Sequence, residues 1–132
     1  MSCSRKCPCN PASVPIQMVS FLKSEIDTII VKRLKKGTNF QTLQDSVLVD
    51  NSNCYYIKRG KDTLELATSS LIGHITSGFD YAIYIPAVNR HTKISGITEK
   101  PTEGPCGRCS NFITMFLMDG QTFYSLRIVI VK

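Results

Sequence analysis

The sequence has no hydrophobic run long enough to cross a membrane. A membrane-spanning helix needs about 20 consecutive, mostly apolar residues, and no segment of this 132-residue chain approaches that length. The amino-terminal stretch MSCSRKCPCNPAS also lacks the hydrophobic centre of a secretory signal. These two absences argue against a membrane-embedded or secreted protein, and we expect a soluble protein of the cytoplasm.

Acidic residues are scarce relative to basic ones. The chain carries 16 Lys and Arg against 10 Asp and Glu, which gives a net charge of +6. Such an excess favours an anionic partner, for example a nucleic acid or a phosphorylated ligand. The basic residues are scattered apart from one cluster at 32–36. Cations at the end of a helix would explain that cluster more simply.

Internal repeats and low-complexity tracts are also missing, which favours an ordinary globular domain. The length and the 42% hydrophobic content suit one domain, over residues 13–132. Residues 1–12 contain Cys3, Cys7 and Cys9 without any periodic pattern. We therefore predict that they form an irregular, cysteine-rich arm.

Three stretches carry apolar residues at spacings of three and four, as on one face of a helix. They cover residues 13–37, 62–78 and 109–120, and each ends at a glycine. Glycine is common just after the last turn of a helix. The sequence therefore predicts three helices.

Other stretches are typical of strands. Residues 40–49 and 54–59 flank the polar segment DNSN, which predicts a β-hairpin. Residues 81–85 (YAIYI) predict a strand covered on both faces, residues 86–105 a long polar loop, and residues 123–132 a last strand. The order α-β-β-α-β-α-β predicts an α/β fold, a mixed sheet with helices packed on it.

The motif PCGRC places Cys106 and Cys109 in a C-x-x-C pair before the third predicted helix. Six cysteines in a reducing compartment rarely form disulfides, so zinc binding, redox chemistry and two ordinary buried thiols are the interpretations to compare. A redox C-x-x-C typically follows an early strand, whereas this pair follows three predicted strands. The topology therefore disfavours a redox couple.

Several motifs resemble the cytidine deaminase superfamily, most closely the small nucleoside deaminases such as blasticidin-S deaminase. They are PCGRC at 105–109, TLELATSSLIG at 63–73 and the predicted hairpin at 40–59. The resemblance spans about residues 14–132. It implies a cytidine-deaminase-like fold and zinc-dependent hydrolytic deamination of a cytosine-type nucleoside or nucleotide.

By position, the resemblance implies that Cys106 and Cys109 are zinc ligands and that Glu65 is the catalytic acid and base. Zinc held by three protein ligands keeps a fourth position for the attacking water and lowers its pKa. The family's first ligand stands two residues before the Glu, where this chain has Thr63, a poor zinc ligand. Candidates for the third ligand are Asp62, His91 and the cysteines of the arm.

A second class of function stays open. Cys106 and Cys109 could join cysteines of the arm in a closed, structural zinc site, in an inactive deaminase-fold protein that serves as a binding or assembly module. The basic segment IKRGKD at 57–62 stands where the family binds ribose, and it favours a phosphate of a nucleotide or nucleic acid. The exposed sheet edge expected after the last strand favours a homo-oligomer.

Overall fold

The computed structural model describes residues 12–50, 52–68, 74–101 and 111–132. These residues form strands and two single-turn 3-10 helices, Lys23–Ile26 and Pro86–Val88. The strands are β1 (Val14–Val19), β2 (Ile29–Lys35), β3 (Leu43–Val49), β4 (Cys54–Lys58), β5 (Thr63–Thr68), β6 (His74–Ile75), β7 (Phe79–Ile85), β8 (Arg90–Pro101), β9 (Asn111–Met118), β10 (Gln121–Phe123) and β11 (Ile128–Val131). Within these ranges no helix is long and apolar enough to cross a membrane.

The strands form two sheets. The large sheet has six strands in the order β10-β9-β8-β7-β2-β3, all antiparallel. The small sheet has the order β11-β1-β5-β4, with β6 also paired to β1. Within it β1 and β11 run parallel, and the other pairs are antiparallel. The last strand of the chain therefore lies beside the first described strand.

The buried side chains of both sheets belong to one hydrophobic cluster. The two sheets thus pack on each other as a sandwich, with alternate residues of each strand facing the core. Fully buried isoleucines dominate this core, and they include Ile16, Ile29, Ile83, Ile94, Ile128 and Ile130. β-branched side chains pack well on a pleated sheet and lose rotamer freedom in a helix, which explains why these segments form strands.

The predicted α/β fold is wrong, because every predicted helix with described residues contains strands instead. Residues 13–37 form β1, a 3-10 turn and β2. Their apolar spacing of three and four arises from two short strands on either side of a turn. Residues 62–78 contain β5 and β6, while residues 69–73 lie outside the described part.

The third predicted helix is also a strand, since β9 covers Asn111–Met118. Asp119 and Gly120 both have positive φ, 52° and 82°, and Met118 pairs with Gln121. This is the geometry of a two-residue hairpin loop, for which Asp-Gly is a strong sequence signal. The glycine interpreted as a helix end is therefore the turn between β9 and β10.

The predicted strands are confirmed, but the predicted pairing of two of them is wrong. Residues 40–49 and 54–59 contain β3 and β4, but these two strands do not form a hairpin: β3 pairs with β2 in the large sheet and β4 with β5 in the small sheet. The turn between them therefore crosses from one sheet to the other. The strand at 81–85 is confirmed within β7, but only one of its faces is fully buried, since Ala82 and Tyr84 are half-buried. The last strand is confirmed as β11. The predicted loop at 86–105 is wrong, because most of it is β8.

Candidate functional site

Glu65, the predicted catalytic acid and base, lies on β5 of the small sheet rather than at a helix start. Its Oε1 accepts a hydrogen bond from Gln17 Nε2 at 3.0 Å, and its Oε2 accepts bonds from Arg59 Nε at 3.1 Å and Nη2 at 2.7 Å. Only 12% of the side chain is exposed. The bonds from Arg59, and then from Gln17, lower the pKa of Glu65. An ionised carboxylate whose oxygens are both bonded is suited to holding two strands together rather than to donating a proton.

The predicted zinc ligands do not form a cluster in the described part of the chain. Asp62 lies just before β5 of the small sheet, whereas His91 lies on β8 of the large sheet. Cys106 and Cys109 lie outside the described residues, as do the cysteines of the arm. Within the described ranges, no group of three or more His, Cys, Asp or Glu side chains could hold a metal ion. Thr63, which stands at the position of the family's first zinc ligand, is the first residue of β5.

Cys54 opens β4 and is half-buried with a free thiol. Burial, and then the charge of Asp50, raise the pKa of this thiol. A raised pKa makes a thiol a poorer nucleophile and a poorer metal ligand at neutral pH. Cys54 therefore behaves as a small side chain at the rim of the core.

A different group of chemically useful side chains meets on the outer face of the large sheet. Strand register places Lys32 of β2 opposite Ala82 of β7, and Ala82 opposite Lys93 of β8. In the neighbouring row, Tyr84 of β7 lies opposite His91 of β8. Side chains of one strand alternate between the two faces of a sheet. These side chains therefore share the outer face, away from the core residues between them.

The small side chain of Ala82 leaves a depression between the two lysines. Its volume is about 140 Å³. We call this depression the sheet-face hollow; it is lined by Ile30, Lys32, Ala82, Ile83, Tyr84, His91, Thr92 and Lys93. One wall is an aromatic pair, in which the rings of Tyr84 and His91 stack with their centroids 4.2 Å apart and their planes at 19°. The Tyr84 hydroxyl donates to Asn89 Oδ1 at 3.3 Å and so fixes the ring.

The charge around the sheet-face hollow is positive. Neither Lys32 nor Lys93 forms an ion pair in the described part of the chain, where the pairs are Arg33–Asp45, Arg59–Glu65 and Lys132–Glu25. The Lys93 ammonium lies 5.1 Å from the centroid of the Phe40 ring, a cation–π distance. Asp119 is the carboxylate next to Lys93, and its Oδ1 accepts the Lys93 backbone N–H at 2.8 Å. The two ammonium groups are therefore available to an anionic ligand.

The sequence did not predict this site, although it contains a signal for part of it. Ala82 and Tyr84 alternate within YAIYI, and His91 and Lys93 alternate within HTK. Period-two alternation is the signal that each pair shares one face of a strand. The helical spacing of residues 13–37 places Lys32 near the end of a predicted helix, and the sequence makes His91 a candidate for the zinc site only. The pairing of β2, β7 and β8 is what makes these residues one site.

Comparison of the chain with family models, with curated proteins and with solved structures found no match.

Proposed function

We propose that this protein is a binding module that holds single-stranded nucleic acid on the outer face of its large sheet, with one base in the sheet-face hollow. The observation that carries this proposal is the row Lys32–Ala82–Lys93 beside the stacked pair Tyr84–His91. A hydrophobic cavity of about 150 Å³ accommodates benzene. A hollow of 140 Å³ therefore has room for a single ring.

The chemistry of the hollow matches what a nucleotide offers. Aromatic side chains on a sheet face stack with unpaired bases, and lysines beside them neutralise the phosphates that follow. Lys32 and Lys93 flank the hollow on opposite sides, so a strand crossing it meets an ammonium before and after the base. The net charge of +6 supports the attraction of a polyanion over longer distances.

Zinc-dependent deamination stays a prediction from the sequence resemblance, as does the structural zinc site. The Cys106–Cys109 pair lies outside the described residues. Within the described part, Glu65 is bonded to Arg59 and Gln17 and lines a cleft with them. The described residues contain no group of three or more His, Cys, Asp or Glu side chains that could hold a metal ion beside it. A cytoplasmic location and self-association through a sheet edge are also proposals, and both are compatible with a nucleic-acid-binding module.

The test is fluorescence anisotropy with labelled single-stranded DNA and RNA of about 16 nucleotides, an upper value for the site size of one small module. Replacing the Tyr84 ring by the substitution Tyr84→Ala should weaken binding by about 1–3 kcal/mol, or roughly 5- to 150-fold. Tyr84→Phe keeps the ring and should bind nearly as the unaltered protein does. Circular dichroism and thermal unfolding establish that each variant is folded.

The lysines have a separate signature, the dependence of affinity on salt. Each phosphate contact to a single strand contributes about 0.7 to the slope of log K against log salt concentration. Lys32→Gln and Lys93→Gln should each lower that slope by about this amount. Lys23→Gln, at an exposed position of the 3-10 helix Lys23–Ile26, removes the same charge elsewhere and should leave the slope almost unchanged. Equal effects of Lys32→Gln and Lys23→Gln would contradict the proposed site.

A further inference from the structure

The outward edge of β11 is unpaired in the described part of the chain. Lys132 N donates to Val19 O of β1 at 3.0 Å. Because main-chain groups alternate along a strand, those of Ile128 and Ile130 also face β1, while those of Val129 and Val131 face away. The Val131 carbonyl confirms this direction, since it accepts a hydrogen bond from Arg90 Nη1 at 2.9 Å. The edge thus offers the N–H and C=O of Val129 and the N–H of Val131.

This edge forms one side of a cleft between the two sheets. The cleft has a volume of about 400 Å³. Its apolar wall consists of Phe116, Met118, Phe123, Val129 and Val131. The rings of Phe116 and Phe123 stack with centroids 5.5 Å apart, which holds the wall in place. A strand added to β11 would place every second side chain against such a wall.

Arginines lie at this cleft. Arg90 and Arg127 both line it, and Arg127 also lines the adjoining cleft that holds Arg59 and Glu65. Arg59 is already paired with Glu65. The guanidinium of Arg127 makes no hydrogen bond or ion pair within the described residues, and its charge acts on Glu65 from a distance and helps to lower the pKa of that carboxyl. Asp119 is the carboxylate that lines the cleft, and it accepts a backbone bond from Lys93. Positive charge therefore exceeds negative charge around the open edge.

We infer that the edge of β11 is a second binding site, which takes an extended acidic peptide segment as an added strand. The peptide backbone bonds to Val129 and Val131, its apolar side chains contact Phe123 and the neighbouring wall, and an acidic side chain pairs with Arg127. Main-chain bonds supply affinity that is independent of sequence in this mode of recognition, while the side-chain contacts supply specificity. The site lies at an edge of the small sheet, apart from the sheet-face hollow on the outer face of the large sheet. Its existence does not depend on nucleic-acid binding.

The experiment measures anisotropy of a labelled short peptide that alternates glutamate and valine. A matched peptide carries glutamine for glutamate, and a third carries N-methyl groups on alternate residues. The unaltered protein should bind the acidic peptide at least about tenfold more tightly than the glutamine peptide, the range expected for a hydrogen bond to a charged group. The N-methylated peptide should not bind, because it cannot pair with the edge.

Variants separate the charge from the backbone contribution. Arg127→Gln should remove the preference for the acidic peptide, whereas Lys58→Gln, on the opposite edge strand β4, should keep it. Val129→Pro should abolish binding of both peptides without removing a bond to β1, because the Val129 N–H faces away from β1. If Val129→Pro fails to fold, the N-methylated peptide makes the same test.

Three results would overturn the inference. One is equal affinity for the acidic and glutamine peptides, and another is binding of the N-methylated peptide. The third is a combined result, in which a single-stranded oligonucleotide displaces the bound peptide and Val129→Pro does not affect peptide binding. That result would place both ligands on the outer face of the large sheet. Failure of oligonucleotide binding in a protein that still binds the acidic peptide would refute the nucleic-acid proposal and leave the edge site intact.

Discussion

Filling the sheet-face hollow is the sharpest test of how the outer face of the large sheet works. Ala82 lies at the centre of the hollow, between Lys32 and Lys93. The substitution Ala82→Leu adds three carbon atoms to the one position where a base is proposed to insert. It leaves both ammonium groups and the Tyr84–His91 pair in place. The change therefore removes space and nothing else from the site.

The expected magnitude follows from the loss of one stacked base. Stacking on aromatic side chains contributes about 1–3 kcal/mol per base, so Ala82→Leu should weaken single-strand binding roughly 5- to 150-fold. The two phosphate contacts remain, so the slope of log K against log salt concentration should not change. Stability should change by no more than about 0.5 kcal/mol, since Ala82 points to the outer face and not into the core.

The assay compares oligonucleotide anisotropy of Ala82→Leu with that of Ser46→Leu. Ser46 lies in the same row of the sheet, beside Lys32 on the exposed strand β3, outside the hollow. Ser46→Leu therefore adds similar apolar surface without filling the hollow and should bind as the unaltered protein does. Equal affinities for the two variants, or a changed salt slope in Ala82→Leu alone, would refute the idea that a base occupies the hollow.

Two further outcomes concern the residues first selected from the sequence. Glu65→Gln should lower the free energy of unfolding by about 1 kcal/mol at pH 7, a value limited by the exposure of Arg59. Because the folded-state pKa of Glu65 is lowered, its contribution is fully present above the unfolded pKa of about 4.3 and is lost progressively as the pH falls through the lowered folded-state pKa. Urea unfolding should therefore show a larger difference between Glu65→Gln and the unaltered protein at pH 7 than at pH 3. If the deaminase resemblance reflects function, freshly purified protein should contain stoichiometric zinc that is lost in Cys106→Ala, and cytidine, deoxycytidine or CMP deamination should be lost in Cys106→Ala and Glu65→Ala. Absence of zinc in the unaltered protein would contradict both the catalytic and the structural zinc predictions.

The fold prediction failed at particular residues for identifiable reasons. Val19, Ile26, Ile29 and Ile30 have helical spacing, yet three of them are in strands and one is in a 3-10 turn. Their β-branched side chains were the better signal, since they favour sheets when a second sheet covers them. The pair Asp119–Gly120 was also a hairpin signal that the helical interpretation of residues 109–120 obscured.

At the candidate sites, too, the contacts of a residue did not follow from the local sequence. Glu65 was selected for its place in a motif, and the structure pairs it with Arg59 and Gln17, which lie on two neighbouring strands or at their ends. His91 was selected as a metal ligand, and the structure stacks it on Tyr84. In both cases the observed partners come from other strands, so they do not follow from local spacing.

The sequence by itself determined the local properties of this protein. These are the excess of positive charge, the strand at 81–85, and the strand character of 43–49, 54–58 and 128–131. Only the tertiary structure decided that β3 pairs with β2 and β4 with β5, and that Lys32, Ala82 and Lys93 form one row. The physical reason is that alternation depends on one strand alone, whereas register depends on which strands share a core. That choice is made by the packing of both sheets together.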